Sequence, residues 1–331
     1  MSIRFRRSMK IAPGVRLNFS KSTLGLSFGI PGARVSVNTR GDVYTSAGIP
    51  GTGLYSVERT SLKARKGRSK KPQPGDLVEQ IPAPGFFAIR EEKAVYRALK
   101  AGNVEELLKV GEKFPHIKYV TEALIFPRLL TNKTTDLGAL TKRAADIWKR
   151  RADLEKNPLF ADYAKGFEIT LKVAPGVEIP MQYGFDAFGL SYIEVLQMGG
   201  KYEEALAVAE SLSPNQATAL AVCENELQLR RWKDVLETTE EIENVDDATA
   251  LLLIYRAIAL RETGLPDAAI ESLMLARAAK KRHEDVLNKA LYERAITYKS
   301  IGKATQAKKD LAKILATDSD FPGVSELLET L

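Results

Sequence analysis

The spacing of apolar residues changes near residue 86 from a period of two to the period of a helix. Before it, short alternating runs such as residues 15–19 and 33–37 are separated by Pro-Gly pairs, and the tetrapeptide Gly-Ile-Pro-Gly occurs at both 29–32 and 48–51. Alternation places one face of a strand inward and the other in water. Pro and Gly suit the central positions of tight turns. We therefore predict about five short strands in a meander of hairpins.

The helical spacing continues from residue 86 almost to the end of the chain. It predicts helices at 88–100, 104–113, 118–131 and 134–156, with Asn103 capping the second and Thr135 or Asp136 starting the fourth. One interruption is expected, because residues 168–182 have extended character and turn at Pro175-Gly176. This segment is predicted to form a β-hairpin.

The last third of the sequence repeats as helical hairpins. The turn between paired helices falls at Gly200, Arg230, Gly264 and Gly302, with successive spacings of 30, 34 and 38. The positions where two helices would cross hold small residues, namely Ala205, Ala269 and Ala307, except that Val235 takes this place in the second pair. With these features residues 186–320 resemble four units of the tetratricopeptide family, whose repeat is about 34 residues long. The resemblance implies an α-helical solenoid with a concave face that binds protein partners.

The first helix of each unit would line that face. Leu220 and Ile254 fall among these positions, although they could instead be buried, with Ile254 and Ile258 packing under the helices of residues 86–156. The predicted partner-binding residues are Glu194, Gln197, Glu224, Leu227, Ile258, Arg261, Tyr292 and Lys299.

The N-terminal segment carries a second resemblance. Its Phe5-Arg6-Arg7-Ser8 opening, Pro-Gly-Val-Arg-Leu-Asn at 13–18, Ser-Lys-Ser at 20–22 and Pro-Gly-Thr-Gly-Leu at 50–54 resemble the bacterial domain-of-unknown-function family 4236. The resemblance extends from the start of the chain to about position 58. It implies no activity, because none is established for the family.

Positive charge is concentrated in residues 1–71, which hold 15 Lys or Arg against two acids, a net charge of +13. The remainder holds 34 basic and 40 acidic residues, a net charge of −6. Such asymmetry suggests an anionic partner for the basic part, either nucleic acid or an anionic surface such as lipid headgroups. A solvated basic linker is the alternative. The residues concerned are Arg4, Arg6, Arg7, Lys10, Lys63, Arg65, Lys66, Arg68, Lys70 and Lys71.

These patterns give a two-domain organisation of class α+β, with a small all-β meander followed by an α-helical, tetratricopeptide-like solenoid. The predicted boundaries are a basic β domain at 1–59, a basic and Pro-rich linker at 60–85, a helical region at 86–167, the hairpin at 168–182 and the repeats at 183–331.

The sequence offers little catalytic chemistry. His116 and His283 are far apart and lack metal-ligand spacing, and a single cysteine, Cys223, excludes an internal disulfide and the usual structural zinc sites. No phosphate-binding loop or dinucleotide fingerprint occurs. We expect no cofactor, no metal and no enzymatic activity. No apolar run is long enough to cross a membrane, and the predicted location is cytoplasmic.

The prediction for function is therefore a binding or adaptor protein that holds a protein or peptide partner in the repeat groove. Nucleic-acid or anionic-surface binding through the basic segment 1–71 is the alternative. The two differ in the part of the chain that binds.

Overall fold

The computed structural model describes residues 81–131, 136–279 and 281–331, and within 1–80 only the backbone of six strand segments. The chain divides into two units, Met1–Lys71 and Pro72–Leu331, and each is described by itself. The six segments of the first unit are β1 (Arg6–Ala12), β2 (Val15–Ser20), β3 (Thr23–Ile30), β4 (Ala33–Asn38), β5 (Asp42–Gly48) and β6 (Tyr55–Ser61).

The predicted fold class is wrong. Residues 90–329 are mostly helical, and their β-structure is one two-stranded sheet, so α+β with an all-β domain does not describe the part of the chain that can be interpreted. The prediction of an N-terminal meander assumes strands whose alternate side chains point into a core and into water. Those side chains lie outside the described residues, so a β domain with its own core is not supported.

The second unit begins with six helices, and side-chain caps start the second, fourth and sixth of them. Asn103 accepts hydrogen bonds from the N–H groups of Glu105 and Glu106, and Asp136 and Asn157 cap later helices in the same way. Arg150 separates two helices where the sequence predicts one over 134–156. The elements are α1 (Arg90–Lys100), α2 (Val104–Lys113), a 3-10 turn (Pro115–Ile117), α3 (Lys118–Thr131), α4 (Leu137–Lys149), α5 (Arg151–Lys156) and α6 (Pro158–Ala164).

A hairpin of β7 (Glu168–Ala174) and β8 (Val177–Gln182) follows, turning at Pro175-Gly176. Its exposed and half-buried residues alternate along both strands, so one face is polar and the other packs on the helices. Gly176 has φ +76°, and a Cβ there would meet the His283 ring. Only glycine satisfies both constraints at this turn.

The rest of the chain forms four pairs of helices and a terminal helix. Each helix packs against its pair partner, and first helices also contact the neighbouring pair. The elements are α7 (Phe185–Met198), α8 (Tyr202–Glu210), α9 (Gln216–Gln228), α10 (Trp232–Thr238), α11 (Asp247–Glu262), α12 (Pro266–Ala276), α13 (Glu284–Ser300), α14 (Ala304–Leu315) and α15 (Val324–Glu329).

The turn within each of these pairs has the same geometry. Gly200, Arg230, Gly264 and Gly302 all have φ between 56° and 81°, so the turn positions predicted from spacing are confirmed. At Gly264, the N–H of that residue donates to Arg261 and the next N–H donates to Leu260. This is the left-handed helix ending in which two N–H groups satisfy the last carbonyls. The turn between α1 and α2 has it too, at Gly102 with φ +66°.

Small side chains allow the paired helices to approach closely. Ala205, Ala269 and Ala307 are fully buried, as is Val235 at the equivalent position of the second pair. Between α13 and α14, Arg294 and Asp310 form a buried two-bond ion pair, with N–O distances of 2.7 and 2.8 Å. The Asp310 carboxylate raises the pKa of Arg294 by hydrogen bonding and attraction.

We predict that Arg230→Gly stabilises the protein. Arg230 is the one described non-glycine residue with positive φ, a conformation that costs an L-residue about 1–2 kcal/mol, whereas glycine loses about 0.5–1 kcal/mol of chain entropy there. The free energy of unfolding in urea should rise by about 0.5–1 kcal/mol.

The matched change is Gly264→Ala, where nothing lies within 4 Å of an added Cβ and only the φ of +81° opposes the substitution. It should lower the free energy of unfolding by about 1 kcal/mol. Equal effects of the two substitutions would contradict the assignment of strain to Arg230.

Candidate functional site

The first helices of the four pairs, α7, α9, α11 and α13, carry all eight predicted partner-binding residues. We refer to their shared surface as the first-helix face. The structure divides these residues into three groups: polar residues without a charged partner, residues buried by packing, and charged or aromatic residues already engaged within the chain.

Glu194, Gln197 and Glu224 form the first group, which we call the α7–α9 strip. Glu194 and Gln197 are one turn apart on α7, and the Gln197 amide lies beside the Glu224 carboxyl of α9. Gln197 Nε2 is buried and makes no hydrogen bond. Neither glutamate has a cationic partner among the described residues. Buried polar atoms are nearly always satisfied in folded proteins, which makes the Gln197 amide unusual.

The local environment raises the pKa of both acids in the strip. Burial of the carboxyl group raises the pKa of Glu194, although its side chain as a whole is exposed. Burial also raises the pKa of Glu224, and the Gln197 amide partly opposes that effect. Tyr255 of α11 is buried beside Glu224, and burial raises its pKa well above the usual value.

Leu220 and Ile254 do not line an open groove. Both are fully buried and belong to the same apolar cluster as Val177 of the β7–β8 hairpin. Leu227 and Ile258 pack against that cluster and are half-buried. Ile254 is thus buried, as the alternative predicted, but its cluster includes no residue of 86–156. The β7–β8 hairpin, which packs on α11, contributes Val177 to this cluster instead.

Arg261 is engaged within the protein. Its guanidinium donates to the Glu293 carboxylate at 2.9 Å and to Glu262 at 3.1 Å, and its side chain is 13% exposed. Burial alone would raise the pKa of Glu293, but Lys289 and Arg261 outweigh burial and lower it. Arg261 therefore joins α11 to α13.

Tyr292 and Lys299 contact the C-terminal end of the chain. The Tyr292 ring lies 5.7 Å from that of Phe321, centroid to centroid, and Lys299 Nζ donates to Thr330 Oγ1 at 2.6 Å. Phe321, Leu327 and Leu328 complete the last apolar cluster. The predicted binding residues of α13, Tyr292 and Lys299, therefore already contact the segment around α15 of the same chain.

The ten basic residues predicted to bind anions, from Arg4 to Lys71, have no described side chains. The structure gives no support to the nucleic-acid alternative. Of the two histidines, His283 caps α13 by accepting from the Asp285 N–H at 3.3 Å, and His116 lies 3.7 Å from Glu91 at the surface. Cys223 is buried, and burial raises the pKa of its thiol.

Metal-binding clusters and membrane-spanning helices are both absent among the residues whose placement is described. Within them, no group of three His, Cys, Asp or Glu side chains has an arrangement that could hold a metal ion. No helix among them is long and apolar enough to cross a membrane.

A second set of unsatisfied polar groups lies on α9 and has no counterpart in the sequence prediction. Asn225 is fully buried with its Oδ1 unbonded, and Glu226 is 5% exposed with its Oε2 unbonded. Burial raises the pKa of Glu226 to about 8, and nearby acids including Asp234 and Glu210 add to the effect. The amino-acid pattern gave no signal, since both residues look like the exposed face of a helix.

The N-terminal segment matches a known family. Residues 3–57 match the family described as a protein of unknown function, DUF4236, which confirms the resemblance predicted for this part of the chain. The match covers a small part of the sequence and does not reach the helices. No curated protein matches the sequence.

The fold is similar to that of a solved structure, the N-terminal domain of the EccA1 ATPase from the ESX-1 secretion system of Mycobacterium tuberculosis. The TM-score is 0.52 at 14% sequence identity, over 76% of this chain and 88% of that domain. At this identity the similarity concerns the fold alone. The tetratricopeptide resemblance of the repeats stays a prediction.

We predict that Glu226→Gln changes how stability depends on pH. The pKa of Glu226 is about 8 in the folded protein and near its ordinary value when unfolded, so folding favours the protonated form. The contribution of Glu226 to stability should therefore be fully present below about pH 4.5 and be lost as the pH rises towards 8. Glutamine stays neutral, so the variant should melt above the wild type at pH 8 and close to it at pH 4.5.

Thermal unfolding followed by circular dichroism across this pH range measures the effect. Glu271→Gln, on the exposed side of α12, is the matched control and should give a smaller, flatter difference, because Glu271 is not among the acids that raise the pKa of Glu226. A constant difference between Glu226→Gln and wild type from pH 4.5 to 8 would show that Glu226 does not titrate in this range.

Proposed function

We propose that this chain is a non-enzymatic binding protein that holds a protein or peptide partner on the first-helix face, at the α7–α9 strip. The single observation that carries the proposal is the Gln197 Nε2 atom, which is buried and makes no hydrogen bond of normal geometry, beside two carboxyls, Glu194 and Glu224, whose pKa values are raised by burial. A buried amide donor without an acceptor costs free energy in the isolated fold, and a partner that supplies hydrogen bonds would remove this cost.

The position of the strip supports the proposal. The remaining predicted positions are filled from within the chain, by the β7–β8 hairpin beside α11 and by the segment around α15 beside α13. Among the eight predicted positions, the strip on α7 and α9 therefore holds the one side chain with an unused buried hydrogen-bonding group, Gln197. Met198, which is 61% exposed at the end of α7, adds an apolar surface next to it.

The fold is compatible with this role. A similar fold occurs in a domain of a secretion-system ATPase, and arrays of helical pairs commonly bind partners on the face of their first helices. The non-enzymatic part of the proposal rests on the sequence, which contains no catalytic or phosphate-binding motif.

A photocrosslinking residue placed at Gln197 in the full chain tests the proposal. Irradiation in cells should attach a discrete protein or peptide partner at this position. The same residue at Ala207, exposed on the second helix α8, is the matched control and should give no such product.

Glu194→Lys together with Glu224→Lys should reduce the crosslinked product by at least tenfold, while the circular dichroism spectrum stays that of the wild type. Glu194 alone is the safer change, because it is more exposed than Glu224. Equal crosslinking from Gln197 and Ala207, or none from either position, would overturn the proposal.

A further inference from the structure

The two strands of the hairpin differ in what lies beyond their outer edges. β8 packs against α11 and contains Pro180, which interrupts any further pairing on that side. In the described part of the chain, no hydrogen bond reaches the outer edge of β7. Residues 168–172 contain no proline, and the register shift of the hairpin comes later, between Lys172 and Ala174. Within residues 168–172, β7 thus lacks two of the usual protections of an edge strand, a proline and a bulge, while it carries the charged Glu168 and Lys172.

The register determines which backbone groups face outward. Tyr183 N–H donates to the Phe167 carbonyl at 2.8 Å, so this pair is hydrogen-bonded. Bonded and non-bonded pairs alternate in an antiparallel ladder. Glu168, Thr170 and Lys172, opposite Gln182, Pro180 and Glu178, are therefore in non-bonded pairs. The missing N–H of Pro180 agrees with this assignment. The N–H and C=O groups of these three β7 residues point away from β8.

The outward edge of β7 is complementary to itself. In an antiparallel pairing with an identical strand, centred on Thr170, each Glu168 lies opposite the Lys172 of the other copy. Thr170 lies opposite Thr170. Opposite charges and Thr–Thr pairs are both favourable across strands. All three side chains are exposed on the polar face of the hairpin. Lys172 is 80% exposed, and its Nζ lies 3.9 Å from Glu178 Oε1 of β8, a solvent-exposed ion pair of small energy that leaves the lysine free to reach a second carboxylate.

We propose that β7 pairs with β7 of a second copy of this chain about a two-fold axis at Thr170. The two hairpins then form one four-stranded antiparallel sheet, in the order β8, β7, β7, β8. Ile169 and Leu171 keep their places on the helix-facing side, because the pairing preserves the alternation of the strand. A two-fold axis is the commonest symmetry of homo-oligomers.

The pairing is weak and sensitive to salt. A contact along one short strand is smaller than the roughly 1,200–2,000 Å² buried by stable interfaces, so the dissociation constant should be on the order of 10–100 µM. Two exposed Glu–Lys pairs contribute, and salt screens them. The dimer should therefore dissociate as salt is raised. This inference concerns the hairpin and does not depend on the function proposed for the α7–α9 strip.

Sedimentation equilibrium of the full chain tests the pairing through a charge exchange. Glu168→Lys places lysine opposite Lys172 twice, and Lys172→Glu places glutamate opposite Glu168 twice, so each variant alone should associate about tenfold more weakly than the wild type. An equimolar mixture of the two should form heterodimers as strongly as the wild type, because every pair is again opposite in charge. The double variant Glu168→Lys/Lys172→Glu should also recover.

Glu271→Lys, the same charge change on the exposed side of α12, is the matched control and should leave association unchanged. A wild-type chain that stays monomeric at all concentrations would overturn the pairing. So would single variants that associate like the wild type, or a mixture that fails to recover. Crosslinking at Gln197 tests partner binding at the α7–α9 strip, whereas sedimentation tests the pairing of β7. Failure of one proposal therefore leaves the other unaffected.

Discussion

The close approach of paired helices is the constraint on which the second unit depends. Two helix axes can approach closely only where small residues separate them, and Ala205, Ala269 and Ala307 supply that space. The chain must also reverse sharply between the two helices, which the left-handed turns at Gly200, Gly264 and Gly302 achieve. Once these two conditions hold, each pair buries its apolar stripe, and neighbouring pairs cover one another.

Much of this arrangement can be predicted from the sequence, because it is encoded locally. The turn positions are read from glycine spacing, Asn103 from capping chemistry, and the hairpin turn from Pro175-Gly176. The repeat spacing predicts a turn at Arg230 although the other three turns have glycine, since the spacing does not depend on the identity of a single residue. The spacing does not predict the turn at Gly102 as part of the repeats, because a small residue is missing at the position after it where two helices would cross.

The candidate site was harder to predict, because it depends on contacts between distant segments. Sequence position places Arg261, Tyr292 and Lys299 on first helices correctly, but their partners Glu293, Phe321 and Thr330 lie about one repeat further along the chain. Leu220 and Ile254 are covered in part by a hairpin that precedes the repeats in the chain. Glu226 resembles a solvated helix residue until its neighbours are known. The fold class failed for a related reason, since alternation within the segment 1–59 could not establish a β core.

The buried pair of Arg294 and Asp310 has a consequence for how the helices find their partners. Helical pairs of similar shape and composition can associate with the wrong neighbour during folding, as repeat proteins tend to do. An apolar second helix placed against α13 would leave the Arg294 guanidinium buried without a counter-charge, at a cost of several kcal/mol. Among the described residues, the carboxylate that meets Arg294 comes from α14. The ion pair therefore favours α14 over the other second helices as the packing partner of α13.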